Sequence, residues 1–382
     1  MSWLDTAAKQ QCDTWHSQGL ERTPATFSTG QTPVATLGGR EYVLFSSSNY
    51  LGLAEHPAVT KAAADALNRF GAGSGGSRLT TGTTDLHSQV ERDFAGFLGY
   101  EDAVFFSAGF MANAGVLQAL AGPGTLIVSD ERNHASIIDG CRLAKAQGAT
   151  VRVSRHRDPA HVDELLRGHS GEAVVVTDGL FSMDGTLAPV PELLAVCRAH
   201  GAALMVDDAH GTGTLGATGR GITEHFSLID DHPDILVATS SKALGVEGGA
   251  VAASAPVAKL LRQQARTFVY STSSTPATCA AVSAAIGVLE GEDSPVLALH
   301  RNIRRLASQL GMDAWASPII PVPIGDETRA VNASARLREA GYFVPAIRWP
   351  TVPHGAAMLR VTVMATHTDE QIDGVAHAIS RL

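Results

Sequence analysis

An α/β architecture is what the sequence predicts: a large domain with a mainly parallel sheet covered by helices, plus a smaller α+β domain. Three observations carry that expectation. Short β-branched runs at Thr125 to Val128, Thr150 to Val153, Ala173 to Thr177, Ala203 to Val206 and Ile235 to Ala238 are almost continuously apolar, as strands buried on both faces are. They alternate with helix-length stretches such as Ile137 to Gln147, Val162 to Arg167 and Val190 to His200, the order that lets successive strands lie parallel. The chain has 382 residues, more than one ordinary core holds, so a second unit is expected. Residues 1–50 then form an N-terminal segment joining the small domain, 51–285 the large domain and 286–382 the C-terminal α+β unit.

Taken in order, Trp3 to Gln18 has helical spacing and Gly19 ends it. Arg22 follows in an irregular stretch. Ala35 to Leu37, Gly38-Gly39 and Glu41 to Phe45 read as a hairpin, because the Gly pair supplies the positive φ a two-residue turn needs. Phe45 to Leu53, F-S-S-S-N-Y-L-G-L, is too polar for a core strand and is a loop. Pro57 opens a helix that runs to Phe70 and into G-A-G-S-G-G-S-R-L-T-T-G. Gly71, Gly73 and Gly76 match the dinucleotide fingerprint literally, but a helix precedes them where that motif requires a strand. Gly211, Gly213 and Gly216 match too, yet no helix opens after them. Both matches are set aside. Leu86 to Leu98 and Met111 to Ala121 are helical and flank a short strand at Ala103 to Phe106. Gly248 to Ala253 is a strand whose link from Lys242 is too short for a crossover helix, so it is expected antiparallel. The C-terminal part carries helices at Ala280 to Glu292, Val296 to Leu310, Thr328 to Ala340 and Asp369 to Leu382. Its strands are expected at Pro318 to Pro323, Phe343 to Ile347 and Leu359 to Val363.

Composition narrows the function classes. With 45% hydrophobic and 18% charged residues the chain reads as globular. A net charge of -9 disfavours nucleic acid as a partner, since phosphate neutralisation dominates that binding. Cys12, Cys141, Cys197 and Cys279 lack paired metal-ligand spacing and the density of a secreted scaffold, which suits reduced thiols in the cytoplasm. Asp5 and Lys9 interrupt the apolar pattern a signal peptide would need, and no apolar run is long enough for a bilayer, so no membrane association is expected.

The chemistry is expected where strands end. Lys242 follows the Ile235 strand in I-L-V-A-T-S-S-K-A-L-G, among side chains too small to shield it. Asp207, Asp208 and His210 follow the neighbouring run L-M-V-D-D-A-H. Open α/β sheets bind ligands at such ends. A metal cluster at Asp207, Asp208 and His210 lacks further ligands at helical spacing nearby, so no metal is expected. A lysine and an acid at adjacent strand ends suit pyridoxal phosphate better: lysine forms a Schiff base with it, and an acid keeps its ring nitrogen protonated. Ser107-Ala108-Gly109-Phe110-Met111 leads from a strand through glycine into a helix, which provides backbone N–H groups for a phosphate. His134 and Ser182 also follow strands; alone each would pass for a helix-start or turn residue. Tyr270-Ser271-Thr272, Arg348 and Arg360 are not placed by periodicity, though an arginine fork suits a substrate carboxylate.

G-S-G-G-S-R-L-T-T-G, N-H-A-S, F-S-M-D-G, V-D-D-A-H-G-T-G, S-K-A-L-G, Y-S-T-S and I-R-W-P-T-V-P-H-G occur in this order over nearly the whole chain. Together they resemble the α-oxoamine synthases, fold type I pyridoxal-phosphate transferases that condense an amino acid with an acyl thioester and release carbon dioxide. The chain is most similar to the branch that joins L-alanine to a pimeloyl thioester in biotin synthesis. The alternative is a glycine-using member such as glycine C-acetyltransferase. The resemblance implies that Lys242 is the Schiff-base lysine and proton-transfer base, that Asp207 pairs the ring nitrogen, that His210 and Ser182 lie near the ring hydroxyl, and that His134 stacks on the ring. It implies that Gly109 and Phe110 present backbone groups to the phosphate with Thr239 below, and that Ser271 and Thr272 reach the phosphate from a second subunit, making a homodimer. Arg22, Ser77 and Arg348 are its substrate-binding positions, Arg348 for the amino-acid carboxylate; Ser77 replaces a Thr of glycine-specific members and leaves room for the methyl group of alanine. The acyl donor is a coenzyme A or carrier-protein thioester. In one departure, Ser48 stands where the family usually has Asn, so either Ser48 serves as a shorter donor or Asn49 takes over.

Overall fold

The computed structural model describes residues 1–228 and 230–382. Its main sheet has seven strands: β1 (Asp102–Phe106), β2 (Leu126–Asp130), β3 (Thr150–Ser154), β4 (Ala173–Asp178), β5 (Ala203–Asp207), β6 (Ile235–Thr239) and β7 (Gly249–Ala253). They lie in the order β1-β7-β6-β5-β4-β2-β3. Neighbours from β6 through β3 are parallel, whereas β7 runs antiparallel to both β1 and β6. Since β7 opposes both of its neighbours, β1 points the same way as β2 to β6. Six strands therefore deliver their C-terminal ends to one edge of the sheet.

Alternation along the strands builds a core on each face. Ala103 and Phe105 face one cluster with Val175, Leu204, Val206 and Leu236. Val104 and Phe106 face the other, with Ile127, Val176, Met205 and Val237. Helix Asp85–Leu98 supplies Val90 and Phe94 to the first cluster, and helix Gly109–Leu120 supplies Ala112 and Val116 to the second. Several strands run one or two residues past the apolar runs that predict them, ending on Asp130, Asp178 and Asp207. Backbone pairing, not side-chain polarity, decides where a ladder stops, and the acids that look like loop residues are its last rungs.

In the C-terminal part, strand Ile319–Gly325 pairs antiparallel with Ala357–Thr362, which also pairs with Ala346–Ile347. The single strand expected over Phe343 to Ile347 is instead two pieces in different sheets. Tyr342–Phe343 joins the N-terminal hairpin Val34–Leu37 and Arg40–Leu44, and Pro345, lacking an N–H, lies in the break. The hairpin turn has both glycines at positive φ, 60° at Gly38 and 79° at Gly39. Helix Trp3–Ser17 buries none of its residues.

Residues 45–50 are laid onto the last strand of the small sheet. Thr362 N–H donates to the Phe45 carbonyl at 2.9 Å and Ala365 N–H to the Tyr50 carbonyl at 2.7 Å. His367 donates to the Leu44 carbonyl at 2.9 Å and its ring stacks on Phe45 at 4.3 Å. This threading carries Tyr50 to the edge of the main sheet. Among the described residues no helix is long and apolar enough to cross a membrane.

Candidate active site

A cavity of about 260 Å³ opens at the edge where the six strands end. Gly109, Phe110, His134, Ser182, Asp207, His210, Thr239 and Lys242 all line it. They come from five strand ends or the segments that follow them, which the fold brings to one cavity.

The cradle follows β1. Helix Gly109–Leu120 begins with an Ala108 cap that makes no side-chain hydrogen bond, leaving first-turn N–H groups for an anion. Thr239 stands against it and donates to the Gly248 carbonyl at 2.8 Å, with the Ser241 hydroxyl 2.7 Å away. Glycine is required where β7 passes this turn, since a Cβ on Gly249 would lie 2.6 Å from the Gly109 backbone. Ser241 also lines the cavity and was not singled out in the sequence; its only signal there is its place in S-S-K.

The acid is held by the same helix, Gly109–Leu120. Asp207 accepts from Asn113 Nδ2 at 2.5 Å through one oxygen and from the Ala209 N–H at 3.0 Å through the other. Asp178 also lines the cavity and is the register partner of Asp207 on the adjacent strand. Burial, and then the Asp207 charge, push the Asp178 carboxyl well above its ordinary range. Asp208, beneath them, is pushed up to about 8 by burial; its Oδ2 accepts from Thr212 Oγ1 at 3.0 Å and from the Ile222 N–H at 3.1 Å. Asn113 and Asp178 are cavity residues that sequence reasoning missed. Asn113 lies four residues beyond Gly109, one turn along the cradle helix, and Asp178 ends a strand as Asp207 does; those positions were the available signals.

Lys242 has its ammonium pulled down by burial, against the attraction of Asp207 and Asp178, with Arg360 lowering it further. His210 is held well below its ordinary value by burial and then by Lys242, Arg360 and His134. The Tyr50 hydroxyl lies 2.8 Å from His210 Nδ1. Burial raises the Tyr50 phenol, so it stays protonated. Ser48 lies beside that hydroxyl and favours its ionised form. Asn49 is occupied elsewhere, its Nδ2 on the Gln31 carbonyl and its Oδ1 accepting from the Ala54 N–H. His134 is lowered by partial burial, with Asp207 opposing and Lys242 adding to it.

A lysine inclined to lose its charge, a carboxylate fixed by two donors and an open helix N-terminus are the donor set that pyridoxal phosphate requires, and the cavity residues fit it.

Other expected site residues are elsewhere. Ser77 and Thr272 form a β-bridge with each other, and Ser271 and Thr272 line a separate small cleft with Arg78 and His87. Arg22 is exposed. The Arg348 guanidinium donates to the Gly19 carbonyl. Arg360 lies behind the lining residue Ser182: 8% exposed, it donates through Nε to the Ser182 carbonyl at 2.6 Å, and its charge acts on Tyr50, His210 and Lys242. Among the described residues no group of three His, Cys, Asp or Glu is placed to hold a metal ion.

The Aminotransferase class I and II family model matches residues 40–379. The 8-amino-7-oxononanoate synthase of Geobacter sulfurreducens is 44% identical over 96% of this chain and 95% of its own length. The biotin biosynthesis bifunctional protein BioWF of Corynebacterium kroppenstedtii is 45% identical over 99% of this chain, which spans only 58% of that protein. A high-resolution structure of SPT with PLP as internal aldimine superposes with a TM-score of 0.92 at 30% identity, covering 100% of this chain and 98% of that one. The chain belongs to the aminotransferase class I and II family and, within it, to the 8-amino-7-oxononanoate synthases.

Proposed function

We propose that this chain binds pyridoxal phosphate and joins the Cα of L-alanine to the acyl carbon of a pimeloyl thioester, releasing carbon dioxide and the free thiol. The observation that carries the reading is Lys242, a buried lysine inclined to lose its charge, in a strand-end cavity that it shares with Asp207, Thr239 and the first turn of helix Gly109–Leu120. Relatives sharing more than two fifths of the residues are named for this product.

When bound, the cofactor supplies an electron sink for the bond broken at Cα. The chain's own residues do the rest. Asp207, fixed by Asn113 and Ala209, would pair the ring nitrogen. The helix N-terminus at Gly109 and Phe110, with Thr239, holds the phosphate. Lys242 Nζ, once uncharged, accepts the Cα proton of alanine. Tyr50 keeps His210 oriented as a neutral ring. In this reading Arg360 takes the alanine carboxylate in preference to Arg348, supported by its contact with Ser182 and by its charge acting on the groups around Lys242.

A homodimer completes the site. Ser77, Ser271 and Thr272 are grouped together away from the chain's own cavity, beside Tyr270, which is 73% exposed; in the dimer they serve the neighbouring cavity. The cytoplasm suits the four free cysteines.

The test supplies cofactor-loaded protein with alanine or glycine and with pimeloyl-CoA or pimeloyl carrier protein, and follows carbon dioxide and the amino ketone by mass spectrometry. Product from alanine in excess over glycine supports the reading. Absence of amino ketone from alanine with both donors rejects it, and a glycine preference moves the chain to the other branch.

A further inference from the structure

One side-chain amide joins the Asp207 carboxylate to the His134 ring. Asn113 is 2% exposed, and its Nδ2 donates to Asp207 Oδ2 at 2.5 Å and to Ser136 Oγ at 2.9 Å. Its Oδ1 is buried with no donor. The chemistry forces that orientation: a flipped amide would turn an acceptor toward a carboxylate that can only accept. Both amide hydrogens are committed, and the unpaired oxygen is the consequence.

Ser136 carries the chain onward. Its hydroxyl, fully buried, accepts from Asn113 and has one proton and one further lone pair to offer His134 Nδ1, 2.8 Å away. The Ser136 backbone N–H donates to the same Nδ1 at 3.3 Å, since His134 caps the helix Ala135–Ala146. A ring nitrogen that accepts from that backbone N–H carries no proton, so the proton of the neutral ring is on Nε2 and the Ser136 hydroxyl donates to Nδ1. The hydrogen bonds from Asp207 to His134 then each have one direction, set at one end by the carboxylate and at the other by the Ser136 N–H.

We propose that Asn113 and Ser136 are positioning residues that lock His134 as its neutral Nε2–H tautomer, with Asp207 orienting the Asn113 amide and the Ser136 N–H holding Nδ1 as an acceptor. The ring then offers the cavity a hydrogen-bond donor at Nε2 and cannot turn over without breaking its bonds to Ser136. This assignment concerns the chain alone and stands or falls independently of the proposed reaction.

Long-range 1H–15N spectra of protein labelled at histidine, with and without pyridoxal phosphate, test it at one pH. His134 is identified by the resonance lost in His134→Asn. The wild-type ring is expected to show its proton on Nε2. In Ser136→Ala, which keeps the backbone donor but loses the hydroxyl, the two ring 15N shifts move toward each other as the tautomers mix. Ser136→Thr, which keeps the hydroxyl, restores the wild-type shifts. Asn113→Leu produces the same movement as Ser136→Ala; should that variant not fold, the Ser136 pair decides alone. A wild-type proton on Nδ1, or Ser136→Ala shifts identical to wild type, overturns the proposal. So does a Ser136→Thr spectrum that stays with the Ala variant. A purely structural role for these residues would lower the melting temperature and leave the tautomer where it was.

Discussion

Asp178 and Asp207 occupy paired positions on adjacent parallel strands, and only one of them is provided with donors for a full negative charge. Asp207 accepts from Asn113 and Ala209, whereas Asp178 accepts only the His134 N–H, at 3.3 Å, and is driven upward by burial and by its neighbour. A carboxyl driven to keep its proton and one fixed by two donors are suited to different roles. Asp207→Asn is expected to lower kcat about a hundredfold or more, the scale of losing a preorganised charge at a reacting system. Asp178→Asn, which resembles a carboxyl that already holds its proton, is expected to change kcat far less. Steady-state rates and cofactor absorbance on the two variants check this, and equal losses would contradict it.

Tyr50 and His210 form a buried pair whose loss is expected to be felt in rate more than in stability. Tyr50→Phe removes one hydrogen bond, worth about 1 kcal/mol, and leaves the His210 ring free to reorient. Urea unfolding should show a small change in midpoint while kcat falls about tenfold, the effect of about 1.4 kcal/mol on a barrier. Unchanged kcat would show that the pair is structural only.

The two arginines are separable by kinetics. Arg360→Lys keeps the charge but loses the planar fork that suits a carboxylate, and is expected to raise KM for alanine about tenfold or more, with little change in KM for the acyl donor. Arg348→Ala is expected to leave KM for alanine within about twofold, because its guanidinium is engaged by the Gly19 carbonyl away from the cavity. These factors correspond to about 1.4 kcal/mol for the tenfold change. The reverse pattern would return the carboxylate to Arg348.

Asp208 makes stability depend on pH in a stated direction. Its folded pKa is raised to about 8 from 3.8, so between those values the folded protein keeps a proton that the unfolded chain has lost. The stabilisation is complete below 3.8 and declines as pH rises through about 8. Urea midpoints of cofactor-free protein are therefore expected to fall from pH 5 toward pH 8 more steeply in wild type than in Asp208→Asn. His367, lowered to about 4 by burial, has the opposite sign: its contribution is lost as pH falls from 6.5 through 4. Parallel curves for wild type and Asp208→Asn would reject the first assignment.

Shared sites predict complementation. Lys242→Ala lacks its own base, and Thr272→Ala lacks what it would lend a partner. Mixed by refolding, the two inactive variants should regain activity, because some hybrid dimers hold one intact site. Sedimentation should give twice the chain mass. A monomer, or no recovery on mixing, would remove the intersubunit role of Thr272.

What the sequence determined by itself was the alternation of apolar runs and helices, and with it a parallel sheet whose strand ends carry Gly109, His134, Ser182, Asp207, His210, Thr239 and Lys242. Their places at strand ends are local, because a buried strand, a turn and a polar residue lie within a few positions of one another; the roles of His134, Ser182 and Thr239 came from the resemblance of their motifs. The tertiary structure decided what depends on contacts between distant segments. The strand expected over Phe343 to Ile347 is divided because its halves meet different partners, the N-terminal hairpin and the strand Ala357–Thr362. Tyr50 reaches His210 across 160 residues only because residues 45–50 are laid on that last strand. Arg360 rather than Arg348 reaches the lining residue Ser182 for the same reason, since both lie in the same C-terminal stretch and only the pairing of strand Ala357–Thr362 turns one of them toward it. Asn113 stayed hidden because a buried asparagine on an apolar helix has no periodicity of its own, and its meaning appears only when Asp207 and Ser136 are seen on either side of it.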